Sequence, residues 1–145
     1  MVDSGHTPKL DEQLCFPFYL IAKEIAGMYR PFLEEMDITY PQYLVMMVLW
    51  ENQPLTVNQI GAKLTLDSGT LTPLLKRLEV KGYLERKRNK NDERVVEIFL
   101  TEEGNKLQQK ACVVPEQLTS QLNLSIEEIK TLKTILDKLI TKIKK

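Results

Sequence analysis

The stretch "LTLDSGTLTPLLKRLEVKGYLERKRNKNDERVVEIFLTEEG" (residues 64–104) decides the fold, because its apolar period changes halfway through. Leu71, Leu74, Leu75 and Leu78 recur at helical spacing, which predicts a helix over 68–81. Pro73 is tolerable there only if the helix begins close before it, and Gly82 is a natural stop. Residues 94–100 then alternate, with Val96, Ile98 and Leu100 on one face and Val95, Glu97 and Phe99 on the other. That is strand spacing, and "NKND" (89–92) is turn chemistry between two strands. A helix followed by a two-stranded wing is the expectation.

Working outward, Thr56 and Gln59 form a capping-box pair that opens a short helix, "TVNQIGAKL", and "TLDSG" turns from it into the helix 68–81. Thr39 and Pro41 mark an earlier helix start, filled by Tyr43 to Trp50, and "ENQP" (51–54) breaks it. Before that, Leu14, Phe18, Ile21, Ile25, Met28 and Phe32 follow a 4-3-4-3-4 seam of coiled-coil type. Downstream, Thr101 with Glu102 and Glu103 opens a long helix in which Pro115 predicts a kink. Ser125 with Glu128 caps a last helix striped by Ile126, Ile129, Leu132, Leu136, Leu139 and Ile143. The fold class is therefore mainly α with a small β-hairpin wing, a winged helix-turn-helix. Residues 1–145 read as a single domain, with a winged helix-turn-helix lobe at about 39–101 and dimerisation helices at 12–36 and 102–145. The terminal helices carry more apolar surface than one small lobe can hide, so a homodimer built from both chain ends is expected.

Composition narrows the function by exclusion. The chain has 145 residues and balances 20 basic against 20 acidic side chains, so no global charge announces nucleic acid or membrane. The longest uncharged apolar run, "YLVMMVLW" (43–50), is far short of the roughly 20 residues of a membrane span. "MVDSGHTPKL" at the start lacks the pattern of a secretory signal. Cys15 and Cys112 are too far apart in sequence to read as a disulfide framework. A single histidine, His6, read as part of a disordered tail, makes a metal site improbable on ligand count. A soluble cytoplasmic protein without cofactor is the expectation, and neither a catalytic partner residue nor a regenerating motif for an enzyme is evident.

Charge is informative only locally. Between Lys76 and Arg94 lie Lys76, Arg77, Lys81, Arg86, Lys87, Arg88, Lys90 and Arg94 against four acidic residues. A solvated basic face is the bland explanation of such a run. Its position on one helix and one hairpin argues for phosphate instead. The helix that buries its leucines presents Ser68, Thr70, Thr72, Lys76 and Arg77 on its other side, small hydroxyls followed by cations. That suits a helix entering a major groove. Arg86, Arg88, Lys90 and Arg94 on the hairpin are candidates for the backbone and an adjacent minor groove.

These residues are similar to a known family. The segment 64–104, with Asp92-Glu93-Arg94 followed by "VVEIFLT", resembles the core of MarR-family winged-helix transcription regulators. "LDSGTLTPLLKRLE", "TYPQYLVMMVLWE" (39–51) and "LCFPFYLIAKEIAGMYRPFLE" (14–34) resemble its organic-hydroperoxide-sensing subgroup, so the likeness covers roughly residues 13–120. The resemblance implies a dimeric repressor that binds an inverted-repeat operator and releases it when an N-terminal cysteine is oxidised.

Cys15 is the residue in question. As an unplaced cysteine its bland role is a small hydrophobe in a core. Pro17, however, requires the helix to begin only a few residues earlier. Cys15 then sits in the first turn, where the helix dipole and free N–H groups favour a thiolate. Tyr19 is at i+4 on the same face. Tyr29, 14 residues on, is about 21 Å away along the axis and out of reach within one chain. In the sensors this sequence resembles, tyrosines partly contributed by the other subunit hold the cysteine, and by motif position these are Tyr29 and Tyr40. Phe16, Phe18, Met46 and Trp50 supply apolar surroundings for an organic hydroperoxide. Met46 and Met47 read as core. Cys112 reads as a structural residue of the fifth helix, and without a resolving partner the sulfenic acid of Cys15 would be capped by a low-molecular-weight thiol. The rivals are the same fold controlled by a small aromatic ligand with Cys15 structural, a thiol peroxidase, and a helical interaction dimer.

Overall fold

The computed structural model describes residues 7–144; His6 lies outside the described residues. A single 3-10 turn, Leu10–Glu12, precedes α1 (Cys15–Met36), α2 (Tyr40–Glu51), β1 (Leu55–Thr56), α3 (Val57–Leu64), α4 (Ser68–Val80), β2 (Leu84–Arg88), β3 (Val96–Leu100), α5 (Glu102–Ala111), α6 (Val114–Leu122) and α7 (Ile126–Ile143). The chain forms two compact units that divide between Ala111 and Cys112. Among the described residues no helix is long and apolar enough to cross a membrane.

The helix starts follow the capping chemistry in the sequence. Thr39 with Gln42, Thr56 with Gln59 and Ser125 with Glu128 each form a reciprocal capping box. The Thr101 hydroxyl accepts the Gly104 N–H at 3.1 Å at the start of α5. Asp67 caps α4 by accepting the Thr70 N–H at 2.8 Å. At the far end of α4, Gly82 takes φ +81°. Its N–H and that of Tyr83 donate to the carbonyls of Glu79 and Leu78 at 2.9 and 3.0 Å. This is a Schellman stop, and only glycine enters that backbone region without a steric penalty.

The core of the first unit is made where α2 and α4 meet the sheet. Tyr43, Val45, Met46 and Leu49 of α2, Ile60 of α3, Leu71, Leu75 and Leu78 of α4, Leu84 of β2 and Ile98 of β3 are all buried. Because α2 is apolar on nearly every side, it runs through the middle of this lobe, as an all-round hydrophobic helix must. Met46 is core as expected, whereas Met47 is 41% exposed.

Three observations correct the sequence expectations. The wing is part of a three-stranded antiparallel sheet of order β1-β3-β2, with Leu55 opposite Ile98 and Arg86 opposite Ile98 on the other side. The two-residue β1 is too short to show any period, so only its pairing with β3 defines it. Second, Pro115 ends a helix instead of kinking one. α5 stops at Ala111, whose carbonyl would have needed the N–H that Pro115 lacks, and Pro115 becomes an early residue of α6. Cys112 consequently falls in the turn after α5 and is exposed, not packed within a helix. Third, Pro73 lies well inside α4, five residues after its start, with the leucine face intact around it.

The α1 seam is divided. Leu14, Phe18 and Ile21 are exposed at 76, 40 and 54%, Ile25, Met28 and Phe32 are half-buried, and the buried positions are Leu33 and Met36. Only the C-terminal end of α1 finds apolar surface within its own unit. α7 has no buried residue, and Ile126, Leu132, Ile135, Ile140 and Ile143 are exposed.

Candidate functional site

Two sets of side chains in the first unit carry chemistry. The first is built on the start of α4 and the base of the wing. A cleft of about 330 Å³ is lined by Thr56, Val57, Asn58, Ser68, Thr72, Arg94, Val95 and Val96. Ser68 and Thr72 of the helix thus share one hollow with Arg94 of the wing, three of the expected contact residues. Thr56 and Asn58, at the start of α3, line it too; sequence reading used Thr56 only as a cap and passed over Asn58. The polar side chain of Asn58 just inside a helix start was the available signal.

The remaining expected contacts fall into different situations. Thr70 is exposed, and its hydroxyl donates to the Asp67 carboxylate at 3.0 Å. That carboxylate is held below its usual range, chiefly by the backbone N–H and then the hydroxyl of Thr70. Lys76 and Arg77 are exposed further along α4. In the wing, the Asn89 side chain accepts the N–H groups of Asn91 and Asp92 at 2.8 and 3.2 Å, and Asp92 accepts the Arg94 N–H at 3.0 Å. These turns shape the tip that carries Lys90 and leave the Arg94 side chain exposed. Arg88 spends one guanidinium N–H on the Glu93 carbonyl at 3.3 Å.

Arg86 behaves differently. Its Nε donates to Glu79 at 2.8 Å and its backbone N–H reaches the same carboxylate at 3.2 Å. Arg86 therefore ties β2 to α4, and the pairing holds the Glu79 carboxyl below its ordinary range. Arg86, grouped in the sequence with the displayed cations, thus has a structural partner in Glu79 as well.

The second set is aromatic. The rings of Tyr29 and Tyr40 lie 4.7 Å apart, and Tyr43 stands 5.8 Å from Tyr29 and 6.3 Å from Tyr40. Tyr43 in turn meets Trp50 edge-on at 6.3 Å, and the Trp50 indole N–H donates to the Gly104 carbonyl at 2.9 Å. Burial, followed by the neighbouring Tyr40 and Tyr43, pushes the Tyr29 phenol up to about 12. It remains a proton donor throughout the neutral range. The sequence places Tyr43 only as part of the apolar run of the second helix, although its i+3 spacing from Tyr40 puts both on one helix face.

Cys15 is the first residue of α1 and is exposed, so it fills no core position of its own protomer. No described side chain caps this end of α1. Tyr19 is 65% exposed one turn further on. The helix separates Cys15 from Tyr29 by about 21 Å, Met46 is buried inside the lobe, and the half-buried Trp50 is bonded to Gly104. Within one protomer, then, the structure does not bring the expected surroundings of Cys15 together. Among the described residues no group of histidine, cysteine and carboxylate side chains could hold a metal ion.

Comparison with known proteins places this geometry. A family profile described as transcriptional regulator SarA/Rot matches residues 27–111. The organic hydroperoxide resistance transcriptional regulator of Bacillus subtilis is 48% identical over 128 residues, covering 88% of this chain and 87% of that protein. Among solved structures, reduced AbfR bound to DNA is similar with a TM-score of 0.77 at 39% identity, over 94% of this chain and 95% of that one; AbfR is a Staphylococcus epidermidis protein. The Staphylococcus aureus MepR–DNA complex is similar with a TM-score of 0.83 at 29% identity, over 90% and 98%.

Proposed function

Since the chain belongs to the MarR/SarA family of winged-helix transcription regulators, we propose that it is a homodimeric repressor that binds inverted-repeat operator DNA and releases it when Cys15 is oxidised by an organic hydroperoxide. The observation that carries the redox part is the exposed thiol at the first position of a helix whose N-terminal half is itself exposed and apolar. A helix that leaves Leu14, Phe18 and Ile21 in solvent asks for a second chain. An antiparallel pairing of two such helices brings the Cys15 of one protomer toward Tyr29 and Tyr40 of the other. The Tyr29 phenol keeps its proton across the neutral range, so its O–H is available to donate to a thiolate sulfur.

The chemistry is a two-electron oxidation. The Cys15 thiolate attacks the terminal oxygen of the hydroperoxide, the O–O bond breaks as the S–O bond forms, and the alcohol leaves with a proton. Cys15 becomes a sulfenic acid. A low-molecular-weight thiol then displaces water from it to give a mixed disulfide. The relatives named as hydroperoxide-resistance regulator and as reduced AbfR on DNA support the reading.

DNA contact is assigned to Ser68, Thr70, Thr72, Lys76 and Arg77 in the major groove, and to Arg88, Lys90 and Arg94 on the wing. The cleft lined jointly by Ser68, Thr72 and Arg94 supports treating helix and wing as one contact surface. The test is a gel shift on a duplex selected from a random pool by the reduced protein. Cys15→Ser protein is expected to bind it as reduced wild type does and to stay bound under cumene hydroperoxide. Release of DNA by that variant moves the switch away from Cys15.

A further inference from the structure

The turn between α4 and β2 is where the end of α1 and the start of α5 meet. Lys81, Gly82 and Tyr83 form it, and the Schellman bonds described above make it stiff. From the wing side, the Thr101 hydroxyl and N–H donate to the carbonyls of Gly82 and Tyr83 at 2.5 and 3.1 Å. Gly104 packs so closely on the Tyr83 carbonyl that an added Cβ would collide with it. From the sensor side, the Tyr83 hydroxyl donates to the Met36 carbonyl at 3.0 Å. Beside it, Lys81 reaches both the Asp37 carbonyl and, at 3.6 Å, its carboxylate.

Two routes run from the tyrosine cluster to this turn. One follows α1 for two turns from Tyr29 to Met36, which is one of the terminal carbonyls with no partner inside the helix. The other passes through Tyr43 and Trp50 to Gly104, which abuts Tyr83. Because packed elements shift as bodies and not by continuous deformation, a push on Tyr29 and Tyr40 must either carry Tyr83 along or break its bond to Met36. Tyr83 is the last residue of the turn from α4 into β2, between the two elements assigned to DNA reading.

We propose that Tyr83 is the positioning residue through which the tyrosine cluster acts on the recognition helix and wing. The proposal rests on the Cys15 reading above. Oxidation crowds Tyr29 and Tyr40, the displacement arrives at Tyr83 through its hydroxyl bond to the end of α1, and the α4–β2 turn leaves its DNA-bound setting. Tyr83 itself touches neither peroxide nor DNA.

The experiment uses the full-length Tyr83→Phe protein, which keeps the ring and loses only the hydroxyl. The chain's single tryptophan, Trp50, sits between the cluster and the turn and reports the sensor end by fluorescence. DNA affinity for the selected duplex reports the output end. Each is measured before and after cumene hydroperoxide with cysteine as the capping thiol. In wild type, oxidation is expected to lower DNA affinity at least about tenfold and to change Trp50 emission. Tyr83→Phe is expected to bind DNA within about twofold of wild type when reduced and to show the same emission change. Its oxidised-to-reduced affinity ratio should shrink by about threefold to tenfold. The double variant Tyr83→Phe/Asp37→Asn, which also removes the ion pair to Lys81, should shrink it further.

An unchanged affinity ratio in both variants overturns the proposal. So does loss of the emission change in Tyr83→Phe, because it moves the effect of Tyr83 to the sensor. Wild-type protein that binds DNA but ignores oxidation removes the Cys15 reading, and the coupling falls with it.

Discussion

Arg94 and Arg86 are two arginines in one hairpin with opposite assignments. Arg94 is exposed and shares a cleft with Ser68 and Thr72, while Arg86 is bound to Glu79. Arg94→Ala is expected to weaken operator binding by about 1–3 kcal/mol with the melting temperature unchanged, measured by titration of labelled duplex. Arg86→Ala should reverse that pattern, costing stability and little affinity. Because Glu79 has its pKa lowered by Arg86, the stability it adds is fully present above its unperturbed value of 4.5 and is lost as pH falls through the folded value. Glu79→Gln should therefore flatten the acid limb of melting temperature against pH below about 4.5, and an unaltered limb would show that the pair is not the cause. Tyr29 acts at the other end of the scale. Its folded value near 12 lies above the ordinary 10.0, so the unfolded chain loses that proton first and stability falls as pH rises past 10. Tyr29→Phe should remove part of that alkaline loss in thermal melts.

The element boundaries rest on a few backbone groups. Gly82 at φ +81° stops α4 and starts the wing, and Gly82→Ala is expected to cost about 1–2 kcal/mol from the left-handed backbone alone. Gly104 tests close packing instead, because its Cβ would meet the Tyr83 carbonyl. Gly104→Ala should destabilise by about 1–3 kcal/mol as an overpacked contact, read as a shift in the denaturant midpoint. The two glycines differ in cause: a larger loss at Gly82 than at Gly104 would mean that strain, not contact, dominates this junction. The capping boxes at Thr39, Thr56 and Ser125 were legible because each is a local four-residue pattern. The end of α5 was not, since a proline at 115 fits either a kink or a new start.

At the scale of the molecule, a chain with 20 basic and 20 acidic residues keeps its excess of cations on α4 and the wing. Operator affinity is therefore expected to fall steeply with salt, by counterion release, although the protein as a whole is neutral. The exposed apolar faces of α1 and α7 call for a second copy, and a two-fold dimer places two recognition helices about one helical turn of DNA apart. Footprints should show that dyad, and full affinity for a single half-site would contradict it. Mixed dimers separate a shared thiol site from one within a chain. When Cys15→Ser is paired with Tyr29→Phe, a shared arrangement leaves one native site, and its cysteine should oxidise faster than in the Tyr29→Phe homodimer.

Reading residues in order was sufficient for what depends on near neighbours. The leucine period of 71–78, the alternation of 94–100, the caps, the Gly82 stop and the position of Cys15 in a first turn all follow from contacts within a few residues, where backbone geometry leaves few choices. Folding decided whatever joins distant positions: β1 existing only because Leu55 meets Ile98, Arg86 pairing with Glu79, Asn58 lining the same cleft as Arg94, Tyr43 joining Tyr29 and Tyr40, and Tyr83 meeting the end of α1. Spacing along a chain sets which side of a helix or strand a residue occupies. Which other element covers that side depends on how the elements pack, and that is a property of the folded chain.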